Sequence, residues 1–150
     1  MEITKAKKEY FKDYLFLKRK EERDYSKITG RKIKYPTDKI LRKEFNESIS
    51  SDKNLILFAK ENKEMIGYIQ CNYTKNPYSK LGYIDDLFVL KKFRRKGIAT
   101  KLIVEFTKIL KKKGYKKLQM SVNTRNTNAI SLYKKLGFEI FHYGLRKEWK

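Results

Sequence analysis

Tyr83-Ile84-Asp85-Asp86-Leu87-Phe88-Val89-Leu90-Lys91-Lys92-Phe93-Arg94-Arg95-Lys96-Gly97-Ile98-Ala99 is the stretch on which the fold turns. It passes from a strand-like run, through a basic loop with one glycine, into apolar residues at helical spacing. Ile98, Leu102, Ile103, Phe106, Ile109 and Leu110 share one face up to Gly114, and a second strand-like run follows at Lys117–Val122. Strand, turn, helix and strand is the order of a crossover unit whose two strands lie side by side and parallel. The turn itself has chemical character. A strand that ends where a helix opens presents unpaired N–H groups at the positive end of the helix dipole, which is an anion site. Gly97 permits close backbone approach, Ala99 leaves room beside a ligand, and Arg94, Arg95 and Lys96 supply charged donors.

Upstream of this unit the pattern is of helices followed by a meander. Met1–Ala6 reads as a short strand, and Tyr10, Phe11, Tyr14, Leu15 and Leu17 as one face of a helix running to about Arg23. After a loop at Gly30–Pro36, Thr37 or Asp38 caps a second helix carrying Ile40, Leu41, Phe45 and Ile49 and stopping near Ser50. Leu55–Lys60 and Met65–Thr74 read as antiparallel strands joined by the polar connection 61–64, with a turn at Asn76-Pro77-Tyr78-Ser79. Downstream, Asn126–Leu136 reads as a helix stopped by Gly137, with strands at Phe138–Tyr143 and Leu145–Trp149. The class is mixed α/β.

A chain of 150 residues, 40% hydrophobic and with 9 Phe and 11 Tyr, suits one domain spanning 1–150. Its longest apolar run, Leu55–Ala59, is far short of a bilayer span, so no membrane partner is expected. Met1-Glu2-Ile3-Thr4-Lys5 carries no apolar signal region, and a cytoplasmic location is expected. One Cys, Cys71, and one His, His142, make neither a disulfide nor a zinc site, so no metal is expected and Cys71 reads as a buried, inert thiol. The net charge is +21. Between Lys91 and Lys117 Glu105 is the lone acid among 12 Lys and Arg, so the basic maximum coincides with the proposed anion site.

The segment Arg94-Arg95-Lys96-Gly97-Ile98-Ala99 resembles the Arg/Gln-x-x-Gly-x-Gly/Ala signature of the GNAT superfamily, the acetyl-CoA-dependent N-acetyltransferases. A second segment agrees: Asn126-Thr127-Asn128-Ala129-Ile130-Ser131-Leu132-Tyr133-Lys134-Lys135-Leu136-Gly137-Phe138 is similar to the family's Asn-x-x-Ala-x-x-Leu-Tyr-x-x-x-Gly-Phe. The resemblance spans about Leu55 to Trp149. It implies a central mixed sheet, mostly antiparallel, with a parallel strand pair at the cofactor cleft and about four flanking helices. It also implies that acetyl-CoA is bound by the backbone of Leu87, Phe88 and Val89 along the pantetheine arm and by Arg94, Arg95, Lys96, Gly97, Ile98, Ala99 and Thr100 around the pyrophosphate, with Asn126 and Tyr133 nearer the thioester. Taken singly, Asn126 reads as a helix cap and Tyr133 as a core aromatic; together with Arg94 and Gly97 they read as a cofactor site.

Direct transfer of the acetyl group to a primary amine is the implied reaction. An alkylamine of pKa ~10.4 is neutral in only about one molecule in a thousand at pH 7, so a proton acceptor is needed. Asp85 and Asp86 are the candidates, and alternation turns one toward the acceptor. Asp86 is weighted because Asp-Leu-x-Val recurs in family members that acetylate aminoglycosides, although a strand bulge common in the family leaves the facing open. Tyr133 is the candidate acid for the departing thiolate. A small-molecule or a protein amine would serve as acceptor, with the protein a monomer or a homodimer. Two alternatives remain: a basic nucleic-acid or ribosome-associated module on the same scaffold, and a catalytically silent acyl-CoA sensor.

Overall fold

A computed structural model describes residues 1–73 and 78–149. Five strands form one sheet in sequence order: β1 (Glu2–Lys5), β2 (Asn54–Glu61), β3 (Glu64–Asn72), β4 (Leu81–Val89) and β5 (Lys117–Met120). The first three junctions are antiparallel, and β4 pairs β5 in parallel, as the crossover order requires. Among the described residues four α-helices flank the sheet: α1 (Phe11–Thr29), α2 (Asp38–Ser50), α3 (Ile98–Lys112) and α4 (Thr127–Lys135). The expected mixed sheet, with its parallel pair and four helices, is therefore present.

Local chemistry accounts for most boundaries. Thr37 caps α2 by accepting from the Ile40 N–H at 3.5 Å. The β2–β3 connection is a tight two-residue turn, with Asn62 and Lys63 both at positive φ, the geometry that matches the strands' twist. Alternation along β2 and β3 then sorts side chains to two cores. Leu55, Leu57, Ile69 and Cys71 pack with Leu102, Phe106 and Leu110 of α3. Ile56, Phe58 and Tyr68 pack on the other face with Tyr14 and Leu17 of α1 and Phe45 of α2. Gly67 lies opposite Val89, where a Cβ would come within 2.7 Å of the Phe88 carbonyl oxygen, so its lack of a side chain lets β3 and β4 close at the end nearest the basic loop.

Three expectations need correction. Helix α1 runs six residues past Arg23, to Thr29, because its buried stripe continues through charged positions. Strand β5 ends at Met120, two residues short of Val122. No strand forms over Phe138–Tyr143 or Leu145–Trp149 among the described residues. Phe138 packs on the core, but beyond it Ile140, Phe141, Tyr143, Leu145 and Trp149 are all exposed, so their alternation has no core to order it. Of the expected turn at 76–79, Asn76 and Pro77 lie outside the described residues, as does Thr74 of the expected strand end; Tyr78 and Ser79 are in a turn.

Candidate active site

Strand β5 accompanies β4 only from Leu81 to Ile84, and beyond Ile84 the ladder stops. The chain beyond Met120 leads on to α4, so the ladder has a gap on the β5 side of Leu87, Phe88 and Val89. At its end β4 enters a 3-10 turn at Lys91–Phe93 and then the basic loop. Arg95 and Gly97 both take positive φ, +66° and +75°, and backbone that alternates hand in this way gathers N–H groups into a concavity for anions. Helix α3 starts at Ile98 with no side chain bonded to its first N–H groups. A Cβ on Gly97 would meet nothing within 4 Å, so the glycine answers to φ rather than to packing, and the space above it is open. Arg94, Arg95, Lys96 and Gly97 are exposed, Ile98 anchors the helix in the core, and Ala99 and Thr100 are half-buried. This chain thus has the donors, charge and room that a pyrophosphate requires.

Arg94 has structural ties as well. Its Nε donates to the Val89 carbonyl at 2.8 Å and its guanidinium pairs with Asp24 of α1, so it ties the loop to both strand and helix. Asn126 caps α4, its Oδ1 accepting from the Ala129 N–H at 3.3 Å. Tyr133 packs edge-on against Phe138 and lines a broad cleft with Met120, Ile130 and Tyr25. Burial, and then the charge of Glu21, push its phenol up to about 12, so at neutral pH it holds a proton to give.

The two aspartates part company at a bulge. Gln70 pairs with Asp86 but Cys71 pairs with Ile84, so Asp85 is the extra residue and Asp86 turns toward α1 while Ile84 faces α3. Asp85 is exposed. Asp86 accepts from the Lys18 ammonium at 2.6 Å, and Lys18 is itself only 6% exposed. The ammonium also lies 5.4–5.6 Å from the ring centroids of Tyr14, Tyr35 and Tyr68. Burial alone would lower its pKa, but Asp86 and Glu21 outweigh burial and hold it above the ordinary lysine value. Lys18 is therefore a fixed cation.

Glu21 completes this cluster, 3.7 Å from Lys18 and accepting from the Tyr68 hydroxyl at 2.5 Å. Burial first, and the Asp86 charge second, raise its carboxyl to about 7 against the pull of Lys18, Tyr68 and Tyr35. Lys18, Glu21, Tyr35 and Tyr68 are absent from the expected site. Lys18 and Glu21 sit in the run Lys18-Arg19-Lys20-Glu21-Glu22-Arg23-Asp24, which reads as a solvated face. The legible signal is spacing: Phe11, Tyr14, Lys18, Glu21 and Tyr25 step by three and four, which extends the core stripe through two charges. Cys71 is buried with its thiol pushed well up by desolvation, which agrees with an inert role.

A profile of the acetyltransferase (GNAT) family matches residues 14–138. An uncharacterized N-acetyltransferase of Methanocaldococcus jannaschii is 29% identical over 140 residues, covering 91% of this chain and 60% of that protein. The spermidine N(1)-acetyltransferase of Thermoplasma acidophilum is 33% identical over 110 residues, covering 71% of this chain and 63% of that protein. The chain thus spans somewhat under two thirds of these relatives' lengths. The aminoglycoside acetyltransferase AAC(6')-Iy, solved with the bisubstrate analogue CoA-S-monomethyl-acetylneamine, superimposes with a TM-score of 0.81 at 18% identity, covering 99% of this chain and 97% of that one.

Proposed function

Because the chain belongs to the acetyltransferase (GNAT) family, we propose that it transfers an acetyl group from acetyl-CoA directly to a primary amine. One observation carries the reading: the β4–β5 ladder stops at Ile84, and β4 leads on through Leu87–Val89 into a loop whose two left-handed residues and uncapped helix start suit a pyrophosphate. The Leu87, Phe88 and Val89 backbone would pair with the pantetheine amides, as an added strand pairs with a sheet edge. Arg95, Lys96 and the N–H groups of Gly97–Thr100 would hold the pyrophosphate. Arg94 serves the same loop by fixing its path, and Asn126 by fixing the start of the helix that carries Tyr133. Bound there, acetyl-CoA supplies an activated acetyl thioester.

The chain's own residues supply the rest. The Tyr133 phenol holds its proton at neutral pH and can pass it to a departing sulfur. Asp85 and Asp86 lie on β4 just before Leu87; Asp86 is paired with Lys18, and the exposed Asp85 would draw an ammonium toward the strand against the basic coat. An amine acceptor is also what the spermidine acetyltransferase among the relatives uses, by its name.

The test is release of the CoA thiol from acetyl-CoA on addition of spermidine, a neamine-type aminoglycoside, free lysine or a short peptide with a free N-terminus. The reading expects release above the amine-free rate with at least one of them. Tight acetyl-CoA binding without amine-dependent release would instead make the protein a silent acyl-CoA binder.

A further inference from the structure

Resting on the acetyl-transfer reading, we propose that Glu21 of α1 takes the proton from the acceptor ammonium, with Lys18, Tyr35 and Tyr68 holding its carboxylate in place.

The geometry separates the two carboxylates beside Lys18. Asp86 is committed to Lys18 at 2.6 Å, whereas Glu21 stands 3.7 Å from the same ammonium and is held instead by hydroxyl donors. Tyr68 donates to it from β3, and Tyr35 from the segment before α2. Glu21 is also coupled to the proposed acid. Its charge acts on the Tyr133 phenol, and Tyr25, one turn farther along the same stripe of α1, lines the cleft that Tyr133 lines. Tyr133 of α4 lines the cleft, and Glu21 of α1 stands behind Tyr25, near enough for its charge to reach the Tyr133 phenol.

The groups facing Glu21 are Lys18 and Tyr14 on α1, Tyr35, Tyr68 on β3, Asp86 on β4 and Tyr133 on α4. Of these, Lys18 is fixed as a cation and the tyrosines keep their protons, their phenols raised by burial. Glu21 changes charge near neutrality, where a general base works best.

The step balances as follows. One proton of R–NH3+ passes to the Glu21 carboxylate, and the freed lone pair forms the C–N bond to the acetyl carbon as the C–S bond breaks. The sulfur leaves with the bonding pair and takes the Tyr133 proton. The phenolate recovers a proton from the new amide nitrogen, and Glu21 releases its own to water. A buried Glu21 with a purely structural duty would take part in none of this.

The experiment is the pH profile, from 5.5 to 9.5, of kcat/KM on whichever amine of the panel is accepted, for wild type, Glu21→Gln and Lys18→Met. Glu21→Gln should lower the value at pH 7 about 100-fold or more and abolish the rising limb near neutrality, with acetyl-CoA affinity unchanged within twofold. Lys18→Met removes the cation that favours ionised Glu21, so its limb should move to higher pH. A Glu21→Gln enzyme that keeps the limb, or a Lys18→Met limb that stays or moves down, overturns the assignment while leaving acetyl transfer intact. A wild type that acetylates no amine removes the function and this role together. Should Glu21→Gln fail to melt cooperatively, the carbon-13 titration of the wild-type Glu21 carboxyl decides: a midpoint near 7 upholds the role, and one in the ordinary carboxylate range ends it.

Discussion

Tyr133 illustrates how one hydroxyl can be tested without disturbing its surroundings. The ring packs edge-on against Phe138 with centroids 5.9 Å apart, and Tyr133→Phe keeps that contact while removing the proton. We expect kcat to fall tenfold or more with acetyl-CoA affinity within twofold, since the lost interaction belongs to the transition state. Full turnover from pH 6 to 9 would leave Tyr133 a packing residue. Asp86 calls for the opposite kind of test. Asp86→Asn leaves the Lys18 ammonium buried with only Glu21 nearby, and breaking such a pair on one side costs about 3 kcal/mol. Denaturant unfolding should show that loss whether or not acceptor turnover changes, and an unchanged midpoint would mean that Lys18 reaches water.

At the scale of elements, α1 and α3 divide the work. Helix α3 docks one face on the sheet through Ile98, Leu102, Phe106 and Leu110, which fixes its uncapped start just past the end of β4. Helix α1 lays its stripe on the opposite face, and Asp24 near its end grips Arg94 of the loop. Acetyl-CoA should therefore raise the melting temperature, because a ligand bound only by the native state adds about 2.7 kcal/mol at one hundred times its Kd. Gly97→Glu should abolish the rise. It places a carboxylate where phosphate charge would sit and forces a side chain into a φ of +75°, although no neighbour obstructs it. An undiminished rise in that variant would place the cofactor elsewhere.

For the molecule as a whole, Glu21 makes stability depend on pH. Its folded-state carboxyl is raised to about 7 from 4.5, so the native state binds the extra proton between those values. The stabilisation is complete below about 4.5 and is lost as pH rises through 7. Relative to Glu21→Gln, wild type should weaken by on the order of 2 kcal/mol between pH 5 and 8, as urea unfolding at each pH would show. Parallel curves for the two proteins would mean that Lys18 cancels the cost of burying the Glu21 charge. The +21 coat does not oppose this locally, since Glu21 is enclosed by its own partners while exposed charges are screened by salt.

The sequence by itself determined what depends on neighbours in the chain. The order of Tyr83–Val122 fixes a crossover and a parallel pair, Gly97 and its cations mark the loop proposed to hold an anion, the spacing from Asn126 to Phe138 places Asn126 at a helix cap, and Leu55–Cys71 announces a hairpin. Only the tertiary structure decided what depends on residues far apart. The bulge that turns Asp86 toward α1 is a matter of register between β3 and β4, which alternation along β4 cannot show. The charges of Lys18 and Glu21 look like surface until β3 and β4 are laid beneath α1, because a helix's buried stripe is defined by what covers it. The expected strands after Gly137 show the converse, for their apolar alternation had no core face to settle on. Burial and pairing are properties of contacts between distant segments, and the proton chemistry proposed for Glu21 rests on both.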